Sequence, residues 1–72
     1  MTVRILQIGA GIRGRHWLEY VKAFAGTECV ALVEPDPANQ EKARPLLGPS
    51  CRIFGELGAA LAAVEADAAL VA

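Results

Sequence analysis

The chain has few residues of the kinds that bind metals or nucleic acids. It contains one histidine and two cysteines, and no short spacing joins them. A metal site needs several such ligands close together, so the sequence predicts none. The seven lysines and arginines are scattered and the formal net charge is −1, which argues against the basic stripe of a nucleic-acid-binding surface. We therefore expect neither a metal nor a nucleic-acid partner.

Long apolar runs are also missing. The longest, residues 57–64, is half alanine and too short to cross a bilayer. The N-terminus lacks the charged start, long apolar segment and small-residue cleavage site of a secretory signal. We therefore expect a cytoplasmic protein without a membrane partner. In that compartment Cys29 and Cys51 are expected to be reduced, buried thiols, which come close together if their strands are neighbours.

Apolar residues are abundant for so short a chain. They make up 54% of the 72 residues, a content typical of a parallel sheet that is covered on both faces. A chain of this length forms at most one small domain and buries only about 60% of the surface that it exposes when unfolded. Marginal stability is the expected consequence.

Strand-like and helix-like segments alternate along the chain. The predicted strands cover residues 3–8, 28–33, 51–54 and 68–72, and the predicted helices cover residues 12–25, 37–44 and 56–64. Gly26 is expected to end the first helix and Pro45 the second. This alternation predicts an α/β fold, a Rossmann-like parallel sheet in the order 3-2-1-4 with helices on both faces. Because residues 70–72 have the character of an inner strand, we expect an incomplete domain from a longer protein and association into a homo-oligomer.

A glycine-rich motif follows the first predicted strand directly and opens the first helix. Gly9 suits a sharp turn out of the strand, and Gly11 would let the backbone approach a diphosphate. Gly14 would allow close contact between the helix and the strand. The amides of Ile12 and Arg13, at the positive end of the helix, would then face an anion. With a strand before it and a helix after it, the motif predicts a dinucleotide site.

Glu34 stands twenty positions past Gly14, where the second predicted strand ends. A carboxylate there can accept hydrogen bonds from both ribose hydroxyls of NAD and would repel the additional phosphate of NADP. Arg13 leaves the choice open, because its guanidinium would pair with a 2′-phosphate or with the pyrophosphate. NAD is the predicted cofactor, and NADP is the alternative.

The segments VRILQIGAGIRGRHW, ALVEPDP and DAALVA carry a resemblance that spans all 72 residues. Together they resemble the N-terminal part of the glucose-fructose oxidoreductase, inositol dehydrogenase and MocA (Gfo/Idh/MocA) family. The resemblance implies an NAD(P)-dependent oxidoreductase that acts on a sugar, cyclitol or related small molecule. It also implies that Gly9, Gly11, Ile12, Arg13 and Gly14 form the phosphate loop. Glu34 takes the place where the family often has aspartate.

By the same resemblance, residues 1–72 are the N-terminal part of a dinucleotide-binding domain, and the substrate domain and the lysine of the family's Glu-Lys-Pro motif lie outside them. No catalytic residue is assigned, and we expect these residues alone to be inactive. A non-catalytic NAD-binding sensor or interaction module is the alternative, because a fold does not fix a function. A methyltransferase is disfavoured, since Gln7 stands where that class has an acid and Arg13 where it has a third glycine.

Two further groups of residues are interpreted structurally. Helical phase directs His16 away from the sheet, which predicts a surface or interdomain packing role despite its suitability for acid-base chemistry. Trp17, Tyr20 and Phe24 form a stripe on the first helix that we interpret as core and core rim. Arg15 is expected on the solvent side of the same helix.

Overall fold

A computed structural model describes residues 2–72 of the chain. Its elements, in chain order, are strand β1 (Val3–Ile8), helix α1 (Ile12–Ala23), strand β2 (Thr27–Val33), helix α2 (Pro37–Ala43), a short 3₁₀ helix (Arg44–Leu46), strand β3 (Arg52–Phe54), helix α3 (Leu57–Ala63) and strand β4 (Ala68–Val71). Strands and helices therefore alternate as the sequence predicted, with bounds that differ by one or two residues.

The four strands form one sheet in the order β3-β2-β1-β4, and every neighbouring pair is parallel. This confirms the predicted α/β class and the strand order 3-2-1-4. The order reverses at β1, because β2 and β3 lie on one side of it and β4 on the other. In open α/β sheets, ligands bind outside the carboxyl ends of the strands at such a reversal. The turn after β1 is therefore the place to look for a site.

Helices cover both faces of the sheet. On one face, Leu18 of α1 and Ala43 of α2 pack with Leu32 of β2 in one buried cluster. On the other face, Ala60 of α3 packs against Leu6 of β1 and two residues of β2. The sheet thus separates two small cores, which is the arrangement expected for parallel strands that are rich in apolar residues on both sides.

Strand β2 contains a bulge at Val30. Ile5 of β1 pairs with Cys29, but the next residue of β1 pairs with Ala31, so Val30 is an extra residue in the ladder. In a regular strand, Cys29 and Ala31 would point to the same face. The bulge interrupts that alternation: Ala31 packs in the core beside α3, whereas Cys29 packs against the core beside α1 and α2.

The ends of the first two helices have identifiable causes. Helix α1 ends at Ala23, two residues before the predicted end, and Phe24 caps it by donating its backbone N–H to Tyr20 and Val21. Gly26 then makes the turn into β2 with φ +91°, a conformation that favours glycine. Helix α2 begins as predicted, because a side-chain oxygen of Asp36 accepts from the N–H of Ala38 at 2.9 Å.

An ion pair fastens β4 to β1. Asp67, just before β4, accepts from the backbone N–H of Arg4 at 2.8 Å and from its guanidinium at 3.1 and 3.2 Å. The Asp67 N–H in turn donates to the Arg4 carbonyl at 2.8 Å. Hydrogen bonds from the side chain and backbone of Arg4 hold the pKa of Asp67 below its usual range.

This pair predicts a weak acid sensitivity. Because the pKa of Asp67 is lower in the folded than in the unfolded chain, its stabilising effect is complete above the unfolded value of about 3.9 and is lost as the pH falls through the folded value. We expect Asp67→Asn to lower Tm slightly at pH 7, and the difference from the wild type to shrink below about pH 4. Thermal melts across that range are the measurement. Glu41→Gln, which removes an exposed ion pair between α2 and Arg44 of the 3₁₀ helix, is the control, and an equal pH-dependent change in both variants would contradict the assignment.

Candidate functional site

The turn after β1 is fixed by Gly9. Its φ is +103°, a left-handed conformation that is strained for residues with a side chain. Its N–H donates to the Val33 carbonyl at 2.9 Å. The turn therefore leaves the carboxyl end of β1 while remaining tied to the end of β2. This is the role that the sequence predicted for the first glycine of the motif.

Gly14 lets α1 approach this turn closely. A Cβ at position 14 would overlap the carbonyl oxygen of Gly9 and lie 2.8 Å from its carbonyl carbon. Both are backbone atoms, which cannot rotate out of the way as a flexible side chain can. The predicted role of Gly14, close contact between the helix and the end of the strand, is confirmed.

At position 11, by contrast, neither the backbone conformation nor a contact within the described protein requires glycine. Its φ is −66°, which any residue can adopt, and a Cβ there would meet no atom of the described chain within 4 Å. The space in front of Gly11 is open. A glycine at this position leaves room for something outside the protein to approach the backbone.

The first turn of α1 presents unused backbone donors beside that open space. Gly11 is the N-cap, and no side chain among residues 2–72 caps the helix. The first backbone hydrogen bond of the helix is donated by the Arg15 N–H to the Gly11 carbonyl, at 2.9 Å. The N–H groups of Ile12, Arg13 and Gly14 precede it and have no partner within the helix. With the positive end of the helix dipole, they make a place suited to an anion.

Glu34 lies beside the same loop and is 5% exposed. One carboxylate oxygen accepts from the N–H of Ala10 at 2.7 Å, and the other accepts from the N–H of Asp36 at 2.9 Å. The structure thus brings the acid at the end of β2 to the phosphate-loop positions that the sequence singled out. Its carboxylate also has a role that the sequence did not indicate, since it holds the loop against the turn after β2.

Gln7 is a residue of the site that the sequence interpretation missed. It is fully buried, and its amide nitrogen donates to the carbonyls of Gly9 at 2.9 Å and Gly14 at 2.7 Å. Its amide oxygen has no hydrogen-bond partner among the described residues. A buried-strand position occupied by glutamine, two positions before the turn, was the available signal.

Two arginines at the start of α1 have different environments. Arg13 is exposed, whereas Arg15 is half-buried. The Arg15 guanidinium donates to the Ala10 carbonyl at 3.1 Å and reaches the Asn39 side chain at 3.5 Å. The prediction that Arg15 lies on the solvent side was therefore wrong, because its long side chain folds back over Ala10 toward α2. Arg13, the arginine of the glycine-rich motif, makes no such hydrogen bond to the described residues.

The outer face of α1 differs in part from its prediction. His16 is exposed, as helical phase predicted. Trp17, Tyr20 and Phe24 are 42%, 64% and 70% exposed, so the prediction that they form core and core rim was wrong. Trp17 and Tyr20 contact each other edge to face, with ring centroids 5.7 Å apart. Gly14, Leu18 and Val21 are the buried residues of this short helix, and the aromatic residues lie outside that narrow buried stripe.

Comparison with models of known protein families gave no match, and comparison with curated protein sequences gave none either. Across residues 2–72, no group of three or more His, Cys, Asp or Glu side chains is arranged to hold a metal ion. None of the helices in that range has both the length and the apolar character needed to span a membrane. The geometry of the loop is therefore the basis for assigning a function.

Proposed function

We propose that this chain is the NAD-binding part of an oxidoreductase. The observation that carries the proposal is Gly11, whose backbone conformation and surroundings give no internal reason for a glycine. A ligand that occupies the volume of the missing side chain would account for a glycine at this position. The unused N–H groups at the start of α1 indicate that the ligand is anionic at this point, as a pyrophosphate is.

The residues around the loop fit the parts of a dinucleotide. The N–H groups of Ile12 and Arg13 would hold the pyrophosphate, and the exposed Arg13 guanidinium would add a positive charge beside it. Gly9 and Gly14 would keep the turn and the helix in place. These groups belong to rigid elements, so binding orders little of the protein backbone.

Glu34 supports NAD over NADP. Each of its carboxylate oxygens accepts one backbone N–H and retains one further acceptor position, which suits the ribose hydroxyls. The same negative charge opposes a 2′-phosphate at that place. Because Glu34 is largely buried, the ribose would contact it only through the small part that remains exposed.

When bound, NAD supplies hydride transfer to or from a substrate carbon. The residues described here would bind and orient it, and none is assigned to the chemical step. The class of substrate, a sugar, a cyclitol or a related small molecule, rests on the resemblance of the sequence to the Gfo/Idh/MocA family. The substrate would be held by parts of the protein outside these residues.

Gly11→Ala tests the proposal. A Cβ at this position meets nothing within the described protein, so we expect Tm to change by no more than about 2 °C, whereas NAD affinity falls by about tenfold or more. Calorimetric titration measures the affinity. Chemical-shift perturbation of the amides of residues 11–14 locates the ligand, and a parallel titration with NADP is expected to show weaker binding than with NAD.

Gly48→Ala is the matched control, because a Cβ at Gly48 also meets no atom of the described residues within 4 Å and Gly48 lies far from the glycine-rich turn in sequence. We expect it to leave both Tm and NAD affinity unchanged. NAD binding that is equally tight in the Gly11→Ala variant, or amide shifts that avoid residues 11–14, would contradict the proposal.

A further inference from the structure

The two cysteines lie next to each other in the fold. The Cys51 thiol donates to the Cys29 sulfur across 3.6 Å, and both side chains are partly buried. Cys29 is in β2 and Cys51 immediately precedes β3, so the pair bridges neighbouring strands. Both residues are free thiols in this structure. A disulfide has its sulfurs about 2.05 Å apart, so a bond would require an approach of roughly 1.5 Å.

Two structural features produce this proximity. The bulge at Val30 places Cys29 on the face that carries Ile53 and Cys51, instead of the opposite face with Ala31. The hydroxyl of Ser50 donates to the Glu28 carboxylate at 2.7 Å. This bond holds the segment before β3 against the start of β2, so each cysteine is the neighbour of a residue that fixes the distance between the strands.

Cys29 is accessible to small molecules. It forms part of the wall of a cavity of about 320 Å³ between α1, the start of β2 and residues 46–50. Lys22 and Glu28 line the same cavity, so its wall is partly polar. A molecule the size of a peroxide can therefore approach Cys29 from this side, while apolar side chains cover the other side of the pair.

The hydrogen bond between the thiols distinguishes their roles. Donation from Cys51 lowers the pKa of Cys29, an effect that burial opposes. The pKa of Cys51 is raised, because its proton is held by the Cys29 sulfur and because the group is partly buried. Cys29 is therefore the thiol that ionises first, and the thiolate is the reactive form of a cysteine.

We propose that Cys29 and Cys51 are a reversible oxidation site that reacts with a peroxide. The Cys29 thiolate attacks one oxygen of hydrogen peroxide, the O–O bond breaks, and the hydroxide that leaves takes up a proton to form water. Cys29 is then a sulfenic acid. This step removes the negative charge that held the proton on Cys51.

Cys51 completes the reaction. Its sulfur gives up a proton and attacks the sulfur of Cys29, the S–O bond breaks, and the second hydroxide leaves as water with that proton. In total, two thiols lose two electrons to one peroxide and yield one disulfide and two water molecules. A dithiol reductant reverses the change by thiol–disulfide exchange. The disulfide covalently links β2 to the start of β3 across the intervening α2 and 3₁₀ helix.

The experiment treats the chain with stoichiometric hydrogen peroxide and measures its intact mass without reduction. We expect a monomer that has lost the mass of two hydrogen atoms, with tryptic peptides 23–42 and 43–52 joined. Because the disulfide closes the segment between Cys29 and Cys51 into a covalent loop, we expect Tm to rise by roughly 10 °C. Dithiothreitol should reverse both the mass loss and the rise in Tm. The wild-type result needs no variant, so it stands even if a substitution impairs folding.

Two variants assign the order of the steps. In Cys51→Ser, Cys29 should stop at the sulfenic acid and be captured by dimedone, whereas in Cys29→Ser dimedone should capture nothing. Disulfide-linked dimers, separate oxidation of each cysteine to a sulfinic acid, no reaction with peroxide, or capture at Cys51 in the Cys29→Ser variant would each overturn the proposal.

Discussion

Gly14→Ala should remove a large part of the stability of this protein. The added Cβ would overlap the backbone of Gly9, so α1 must move away from the turn or the turn must deform. Overpacking against fixed atoms costs about 1–3 kcal/mol, and more where backbone must shift, so we expect a loss of about 3 kcal/mol or more. A chain of this size has a free energy of unfolding of roughly 4–11 kcal/mol, and the loss is therefore a large fraction of the total.

Urea denaturation of Gly14→Ala measures this loss, with Gly58→Ala as the matched control. Gly58 also lies in the first turn of a helix, α3, but a Cβ there would meet only a side-chain oxygen of Glu56 at 3.8 Å. Alanine is favoured over glycine in a helix by about 0.5–1 kcal/mol, so we expect the control to be more stable than the wild type. If both variants gained stability, the close contact between α1 and the turn would not exist.

Gln7→Glu should lower the free energy of unfolding by a comparable amount, although it exchanges an amide group for a carboxylate of nearly the same shape. The Gln7 nitrogen donates to the carbonyls of Gly9 and Gly14, and a carboxylate would place negative oxygens against both of them in a fully buried position. An uncompensated buried charge costs about 3–5 kcal/mol. Burial and these carbonyls would also raise the pKa of the new carboxyl group above the ordinary value of about 4.3.

The raised pKa gives the Gln7→Glu variant a pH dependence that identifies the cause. The penalty is complete above the folded pKa and disappears as the pH falls toward the unfolded pKa, so the variant should approach the wild type between about pH 7.5 and 5. Thermal melts over this range test the prediction. Gln7→Met, which removes the two hydrogen bonds without adding charge, should lose only about 1–3 kcal/mol at every pH. A pH-independent deficit in Gln7→Glu would show that charge is not responsible.

The fold was predictable because local signals agree with one another. Asp36 and Pro37 begin a helix at the position where the strand pattern stops, and the alternation of elements leaves few topologies for a parallel sheet. Gly9 and Gly14 were assigned roles in the turn that the structure confirms. The nucleotide itself stays a prediction, and Gly11 supports it through the room left in front of the loop.

The parts that sequence reasoning missed depend on tertiary contacts. Gln7 interrupts an apolar strand, but only the return of α1 shows that its amide joins two turns of backbone. The exposure of Tyr20 and Phe24 depends on how few residues of α1 reach the sheet, which helical periodicity does not reveal. Hydrogen bonding of the Glu34 carboxylate to two backbone amides likewise requires the chain to fold around it.

The extra residue at Val30 has a consequence for how this protein can vary. Because Val30 has no partner in the ladder, the residues before it and after it keep their own pairing with β1. Deleting that single residue would restore a regular strand and leave Thr27, Glu28 and Cys29 on the faces they occupy now, because Cys29 would still pair with Ile5 and Ala31 with Leu6. Homologous chains that lack this extra residue would therefore keep both Glu34 beside the turn after β1 and the two thiols on one face, so the bulge lets β2 carry one more residue without separating the cysteines.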